Sequence, residues 1–409
     1  MLLKTRPLSA IPQYDTLEAL LASSSDGIFL VGKRGTRDSW QYLQDCGFAP
    51  YVIKLVNPLL VPRRAIRWNL NSLKVALNWG IGRPTPPLPS ALFYGRADLL
   101  VTSDGCIIAD SFSRGTFVHP SIRPTGDKTW TVPYSGTETL LKGRHQYLEL
   151  VPGHFGHMLV DMPGRLWTAS EPELSAIADL PSVAFATHGM QGRSGMPALV
   201  ARLLNAMGLA PDRVVIADRP MRVQELIIAR RISPHRGPGG PRYNRVMVAA
   251  GRRIAADNHG TTQLVYFSRS RLSHDRRPVA RATALQIDDL FAKRGFTVVH
   301  PQDLDIADQI SVVRGATHIA GFVGSQLHLS AFSERRGLKL LVICPGRFHT
   351  GTDQRIVGPL GGEVTDLVFP GPSTFQRLLR GRRLHLTAQD LDRIDAAITA
   401  FVGSDKVAG

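Results

Sequence analysis

Cysteine is scarce in this chain. Only three occur in 409 residues, Cys46, Cys106 and Cys344, far apart and without CxxC spacing. That pattern excludes a cysteine zinc site and a disulfide framework, and it predicts ordinary buried thiols in a reducing compartment. Long apolar runs are missing too. No stretch of about 18 consecutive apolar residues is present, so no membrane span is expected. The opening MLLKTRPLSAIPQ has no apolar h-region, and no secretory signal is expected from it. Acidic residues are in deficit, 33 Asp and Glu against 49 Lys and Arg, for a formal net charge of +16. Such a charge suits nucleic acid, an anionic membrane surface or an anionic substrate, and equally a merely basic exterior. The arginines are scattered, and no RRM, helix-turn-helix or zinc-finger pattern accompanies them. Nucleic acid is therefore not expected as a partner.

What is present is a globular composition, 43% apolar and 20% charged, at a length that points to two or three domains. Short strand and helix signals alternate over residues 1–60, and a Pro-rich connector follows at 80–93. Between 91 and 150, short apolar runs such as ALFYG, DLLVT and QYLELV predict antiparallel strands or hairpins. From about 182 the texture becomes α/β. SVAFAT, RVVIA and ELIIA read as strands, and MPALVARLLNAMG as a helix with Leu199, Leu203 and Met207 on one face. RRISPHRGPGGPRYN at 230–244 reads as a mobile loop.

QLVYF, FTVV, THIAG and LKLLVI then read as four strands separated by the helices ALQIDDLFAKRG, DIADQISVVRG and SQLHLSAF. That alternation predicts a parallel, doubly wound sheet. Asp305 is the expected N-cap of the second of these helices. TAQDLDRIDAAITAFV at 387–402 predicts an amphipathic helix opened by a Thr387/Asp390 capping box. The expected domains are 1–180, 181–385 and a terminal helix over 386–409 that crosses back.

Three constellations could carry chemistry. In GFVGSQLH, Gly321 and Gly324 let backbone approach a ligand, and the helix start at Ser325 and Gln326 suits an anion, with His328 one turn further. The loop is neither GxGxxG nor a Walker motif, so NAD and P-loop chemistry are poorly supported. Ser268 and Arg269 follow directly on the strand QLVYF, where open sheets bind ligands, and a guanidinium fork suits a diphosphate. In LVPGHFGHMLVDMPGRLW, the spacing of His154, His157, Asp161 and Arg165 would put all four on one helical face. A His–Asp pair there makes a general base, with either residue as the base itself. HxxxD also fits a metal pair, but no third ligand is evident and HExxH is absent.

The segment GHFGHMLVDMPGRLW resembles the HxxxD…PRL signature of glycosyltransferase family 61. LVYFSRSRL and RGFTVVHPQDLDIADQISVVRGATHIAGFVGSQLHLSAF resemble that family's C-terminal half. The resemblance implies an α/β GT-B architecture, two Rossmann-like domains facing a cleft, with an additional β-rich segment in the N-terminal one. It implies inverting, metal-independent transfer of a hexosyl or pentosyl group from a nucleotide sugar, with no cofactor. Ser268, Arg269, Gly321, Gly324, Ser325, Gln326 and His328 map onto the donor side. His157 and Asp161 map onto catalysis, and His154 and Arg165 onto the acceptor side. A glycan or capsule-type polysaccharide is the expected acceptor. A cytoplasmic setting is expected; RLLRGRR at 377–383 reads first as a solvated charged face, with contact to anionic lipid at the inner face of the membrane as the alternative. The alternative is a non-catalytic nucleotide- or glycan-binding member of the same fold, and, less favoured, a basic nucleic-acid-binding protein.

Overall fold

The computed structural model describes residues 2–6, 11–30, 51–62, 99–108, 123–126, 129–131, 136–186, 196–234, 240–256, 261–345, 351–370 and 384–403. The connector at 80–93, the strand expected at 91–95 and the basic run 377–383 lie outside the described residues. The chain forms two compact units, residues 1–238 and 239–409.

The first unit is built on four parallel strands, β1 (Thr139–Val151), β2 (Ser182–Ala186), β3 (Val214–Ile216) and β4 (Met221–Ala229). Their spatial order is β3-β2-β1-β4, and Tyr51–Val56 continues the sheet antiparallel to β4. Two sequence expectations are corrected here. QYLELV is the end of β1, with parallel neighbours on both sides rather than a hairpin partner. A parallel strand is covered on both faces, so it reads as a continuous apolar run and its partners cannot be read locally. For the same reason the boundary is not at 180/181. β2, β3 and β4 hydrogen-bond within the sheet of β1 and so belong to the first unit. Antiparallel pairing is found nearby, between Leu59–Val61 and Leu99–Val101.

Residues 230–234 and 241–244 also depart from expectation. Arg231 and Ser233 are largely buried, and helix α3 begins at Pro241 and runs to Ile254. Proline is preset for the first helical position, and Tyr243, Val246, Met247 and Ala250 then bury one stripe. Upstream, α1 (Phe155–Val160) and α2 (Ala198–Ala206) connect the strands of the first unit. On α2 the buried face is Val200, Leu203 and Leu204, while Leu199 is only half-buried.

The second unit is the expected parallel sheet with one more strand. β5 (Leu264–Phe267), β6 (Thr297–Val299), β7 (His318–Phe322), β8 (Lys339–Pro345) and β9 (Glu363–Phe369) stand in the order β6-β5-β7-β8-β9, all parallel. Between them run α4 (Arg281–Lys293), α5 (Ile306–Gly315) and α6 (Gly351–Val357). Asp305 caps α5 as expected, accepting the Asp308 amide at 2.9 Å. β9 and α6 were not anticipated, because EVTDLVF mixes charged residues into the strand and α6 lies next to a glycine-rich stretch.

One face of this sheet, Tyr266, Ala320, Phe322, Leu341 and Ile343, shares a core with Ile287 and Phe291 of α4. Tyr266 stacks on Phe291 with ring centroids 3.9 Å apart. The same core holds Ile394, Ile398 and Phe401 of α7 (Ala388–Gly403), so the terminal helix packs on its own unit's sheet. The expectation that it crosses back is therefore corrected. Arg294 ties it down further with two bonds to Asp395, at 2.9 and 2.5 Å.

Candidate functional site

In the first unit the chemistry gathers at the carboxyl ends of β1 and β4. The helix expected over 154–165 is broken. His154 precedes α1 as its N-cap, α1 ends at Val160, and a 3-10 helix runs from Met162 to Ser170 with Pro163 in its first turn. The break occurs at Asp161, since proline cannot continue an α-helical hydrogen-bond ladder. His157 and Asp161 still face each other, with Nδ1 of His157 on Oδ2 of Asp161. The histidine side chain is 31% exposed and the aspartate 6%, so the imidazole is the solvent-facing member of the pair. His154 is exposed beside it, with ring centroids 5.4 Å apart at a steep angle.

The other carboxylate oxygen is taken up by residues the sequence did not single out. Oδ1 of Asp161 accepts from the Arg231 guanidinium and from Ser233 Oγ at 3.2 Å. Arg231 also donates to Glu149 at 2.8 Å, and Glu149 in turn accepts from Arg165 Nε at 2.9 Å. Arg165 gives a further bond to the Ala229 carbonyl at 2.5 Å and is 2% exposed. Its expected acceptor-side position is thereby corrected: Arg165 holds the ends of β1 and β4 together from inside. The result is a buried chain of two carboxylates and two guanidiniums whose charges cancel, with His157 at its exposed end.

Burial works against the charge on Arg231, but Glu149 and Asp161 outweigh it and hold the guanidinium above its ordinary range. Glu149 reaches the network through an irregular backbone. It has a φ of +74°, and the pairing of β1 with β2 slips between Tyr147 and Glu149. A bulge of this kind re-aims a side chain, and a non-glycine residue at positive φ costs of order 1 kcal/mol or more. The segment after β4 is pinned in place by Ile232 N–H donating to the Gly164 carbonyl at 2.8 Å and by Trp167 Nε1 donating to the Arg230 carbonyl at 2.8 Å. A Cβ at position 164 would meet Ser233 Cβ at 3.1 Å and Arg231 Cγ at 3.3 Å, so glycine fits this approach best.

In the second unit the strand order changes direction between β5 and β7, and open α/β sheets bind ligands outside the carboxyl ends of the strands at such a point. β5 ends in Ser268 and Arg269, and β7 runs out into Val323 and Gly324. The half-buried Arg269 guanidinium lies across the gap, donating to the Arg276 carbonyl at 3.0 Å and towards the Val323 carbonyl at 3.4 Å. Burial pushes its ionisation down from the usual arginine range. A Cβ on Gly324 would sit 2.6 Å from Gln326 Oε1 and 3.3 Å from Arg269 Nη1, so both side-chain ends lie against this glycine.

Other expected contacts move. Ser268 is 1% exposed and its hydroxyl donates to Asp288 at 2.7 Å. Gly321 lies inside β7 and packs on Phe267 and Leu327. The helix expected from Ser325 is a 3-10 helix over Leu327–Phe332, preceded by Gln326 as its N-cap, whose Nε2 donates back to the Phe322 carbonyl at 2.5 Å. Ser325 is half-buried at the turn. His328 faces α6, with Nε2 3.7 Å from Oδ1 of the buried Asp353. Among the described residues no cluster of three or more His, Cys, Asp or Glu could hold a metal ion.

Residues 155–339 match the family model Glycosyltransferase 61. The matched region belongs to glycosyltransferase family 61. It spans both constellations, from α1 with the His157–Asp161 pair to the first residue of β8, beyond the glycine loop. No curated protein matches the chain. A glycosyltransferase family implies, in general terms, a nucleotide-sugar donor and a glycan acceptor. Glu149 and Asp353 lie outside the matched residues, while Arg231 and Asp288 lie inside them.

Proposed function

We propose that this family 61 protein is an inverting glycosyltransferase of GT-B type, moving a hexosyl or pentosyl group to a hydroxyl of a glycan or polysaccharide. The first unit carries the base and the second the donor diphosphate. The observation that supports this reading best is Arg269 lying against Gly324 at the point where the strand order reverses. A guanidinium beside a loop that can accept close backbone approach is suited to a diphosphate.

His157 is the base in this reading, and Asp161 is not. Asp161 is nearly buried and both its oxygens are engaged, whereas His157 reaches solvent. With Nδ1 on the carboxylate, the acceptor hydroxyl gives its proton to Nε2. Its oxygen attacks the anomeric carbon from the face opposite the diphosphate. The carbon–oxygen bond to the diphosphate breaks and its electron pair leaves with that group. Arg269 and the loop amides carry the leaving charge, with no metal ion required, a contribution on the order of a few kcal/mol per donor group. Asp161 orients the imidazole and stabilises its protonated form.

The test is transfer and hydrolysis of a nucleotide-sugar panel by purified protein and two variants. His157→Ala should lower kcat by roughly 100- to 10,000-fold while nucleotide binding persists. Arg269→Ala should collapse turnover and weaken nucleotide binding. A wild-type protein that binds nucleotide sugars but never turns them over would make it a non-catalytic binder instead.

A further inference from the structure

We infer that Asp288 is a positioning residue of the donor site, clamping the turn that aims Arg269. The inference rests on the reading of Arg269 as the diphosphate ligand, and it concerns a residue on a different element, one that never reaches the phosphates.

The two carboxylate oxygens of Asp288 each take one serine hydroxyl. Ser268 Oγ donates to Oδ1 and Ser270 Oγ donates to Oδ2, both at 2.7 Å. These serines flank Arg269 in sequence and are 1% and 2% exposed. With its proton committed to Asp288, the Ser268 hydroxyl presents lone pairs inward, and it accepts the Ser270 amide at 3.1 Å. Ser268 N–H itself donates to the Val299 carbonyl at 2.8 Å, extending the pairing of β5 with β6 by one residue. The backbone on both sides of Arg269 is therefore fixed, and its side chain must leave on the opposite side, towards Val323 and Gly324.

Asp288 is itself rigid. It sits in the middle of α4, one residue after the fully buried Ile287 and three before Phe291. A carboxylate is the group suited to this role because it only accepts, so both hydroxyls must point at it; a side chain that could also donate would leave one of them a choice. Positioning of this kind matters because a functional group displaced by about 1 Å can cost two orders of magnitude in rate.

The experiment uses the full chain and calorimetric titration with inorganic pyrophosphate, UDP and GDP. The proteins are wild type, Arg269→Ala, Asp288→Ala, Ser270→Ala and the Asp288→Ala/Arg269→Ala double variant, each checked by thermal unfolding. Asp288→Ala should weaken the best-bound probe about tenfold or more, and Ser270→Ala should weaken it less. In the Arg269→Ala background, Asp288→Ala should cost nothing further, because it acts through Arg269. Equal losses in both backgrounds would mean a general structural role and overturn the inference, as would a folded Asp288→Ala protein of unchanged affinity. If Asp288→Ala does not fold, the same cycle with Ser270→Ala decides by the same criterion. A wild type that binds no probe, or an Arg269→Ala variant that binds as tightly as wild type, would remove the donor reading first and the clamp with it.

Discussion

Arg231 and Asp161 form a buried ion pair across the ends of two neighbouring parallel strands, although 70 positions separate them in the chain. The guanidinium stands between Asp161 and Glu149, so it is shared by two carboxylates. Removing it takes one guanidinium from each, leaving Glu149 with Arg165 and Asp161 with His157, and breaking a buried pair by deleting one partner costs about 3–5 kcal/mol. Arg231→Met should accordingly lower the unfolding free energy obtained from denaturant curves, by up to about that amount. Arg231→Lys should fall between, since one ammonium cannot serve both carboxylates with the geometry of a guanidinium fork. A Met variant as stable as wild type would show that the network carries no net stabilisation.

The buried Asp353 predicts an unusual pH dependence. Burial first, and Asp366 next, push its carboxyl up to about 7. The folded chain then holds a proton that the unfolded chain has lost, so this contribution is present in acid and fades as pH rises through about 7. Asp353→Asn is neutral at every pH. It should match wild type near pH 4 and be more stable at pH 9, by up to about 4 kcal/mol. Paired denaturation curves at the two pH values check this, and a variant less stable than wild type at pH 9 would contradict it.

The terminal helix offers a local test. The Thr387 hydroxyl accepts the Asp390 amide at 3.2 Å, while Asp390 accepts the Thr387 amide at 2.9 Å, so the expected capping box is formed. Thr387→Ala should cost about 1 kcal/mol, as N-cap losses do. In a unit of this size that corresponds to a Tm lower by roughly 2–4 °C. No change in Tm would mean that α7 is held by Ile394, Ile398 and Phe401 alone.

The elements most legible in the sequence were those set by local chemistry. α5 with its Asp305 cap, α7 with its capping box, and the strands QLVYF, FTVV and THIAG follow from side-chain periodicity and hydrogen-bonding type. The site was legible where a functional residue abuts an apolar strand, as Arg269 does after QLVYF. The same rule applied to ELIIA would have found Arg231, but the glycines and prolines of 235–241 drew that whole stretch into a loop. Glu149 also left a mark, as a single charge inside an apolar strand. Asp288 left none, because an aspartate in an amphipathic helix looks like any solvated residue.

The sequence by itself determined the resemblance to family 61, the His157–Asp161 spacing and the alternation that makes the second unit a parallel sheet, since each depends on residues near one another in the chain. Only the tertiary structure decided which of these residues face solvent. Parallel strands find partners by non-local hydrogen bonding, and that pairing carried β2, β3 and β4 into the first unit and brought Arg231 to Asp161. It also turned Arg165 and Ser268 from expected ligand contacts into buried supports. A side chain's type says what it can bond to, but the fold settles whether a neighbouring carboxylate reaches it first.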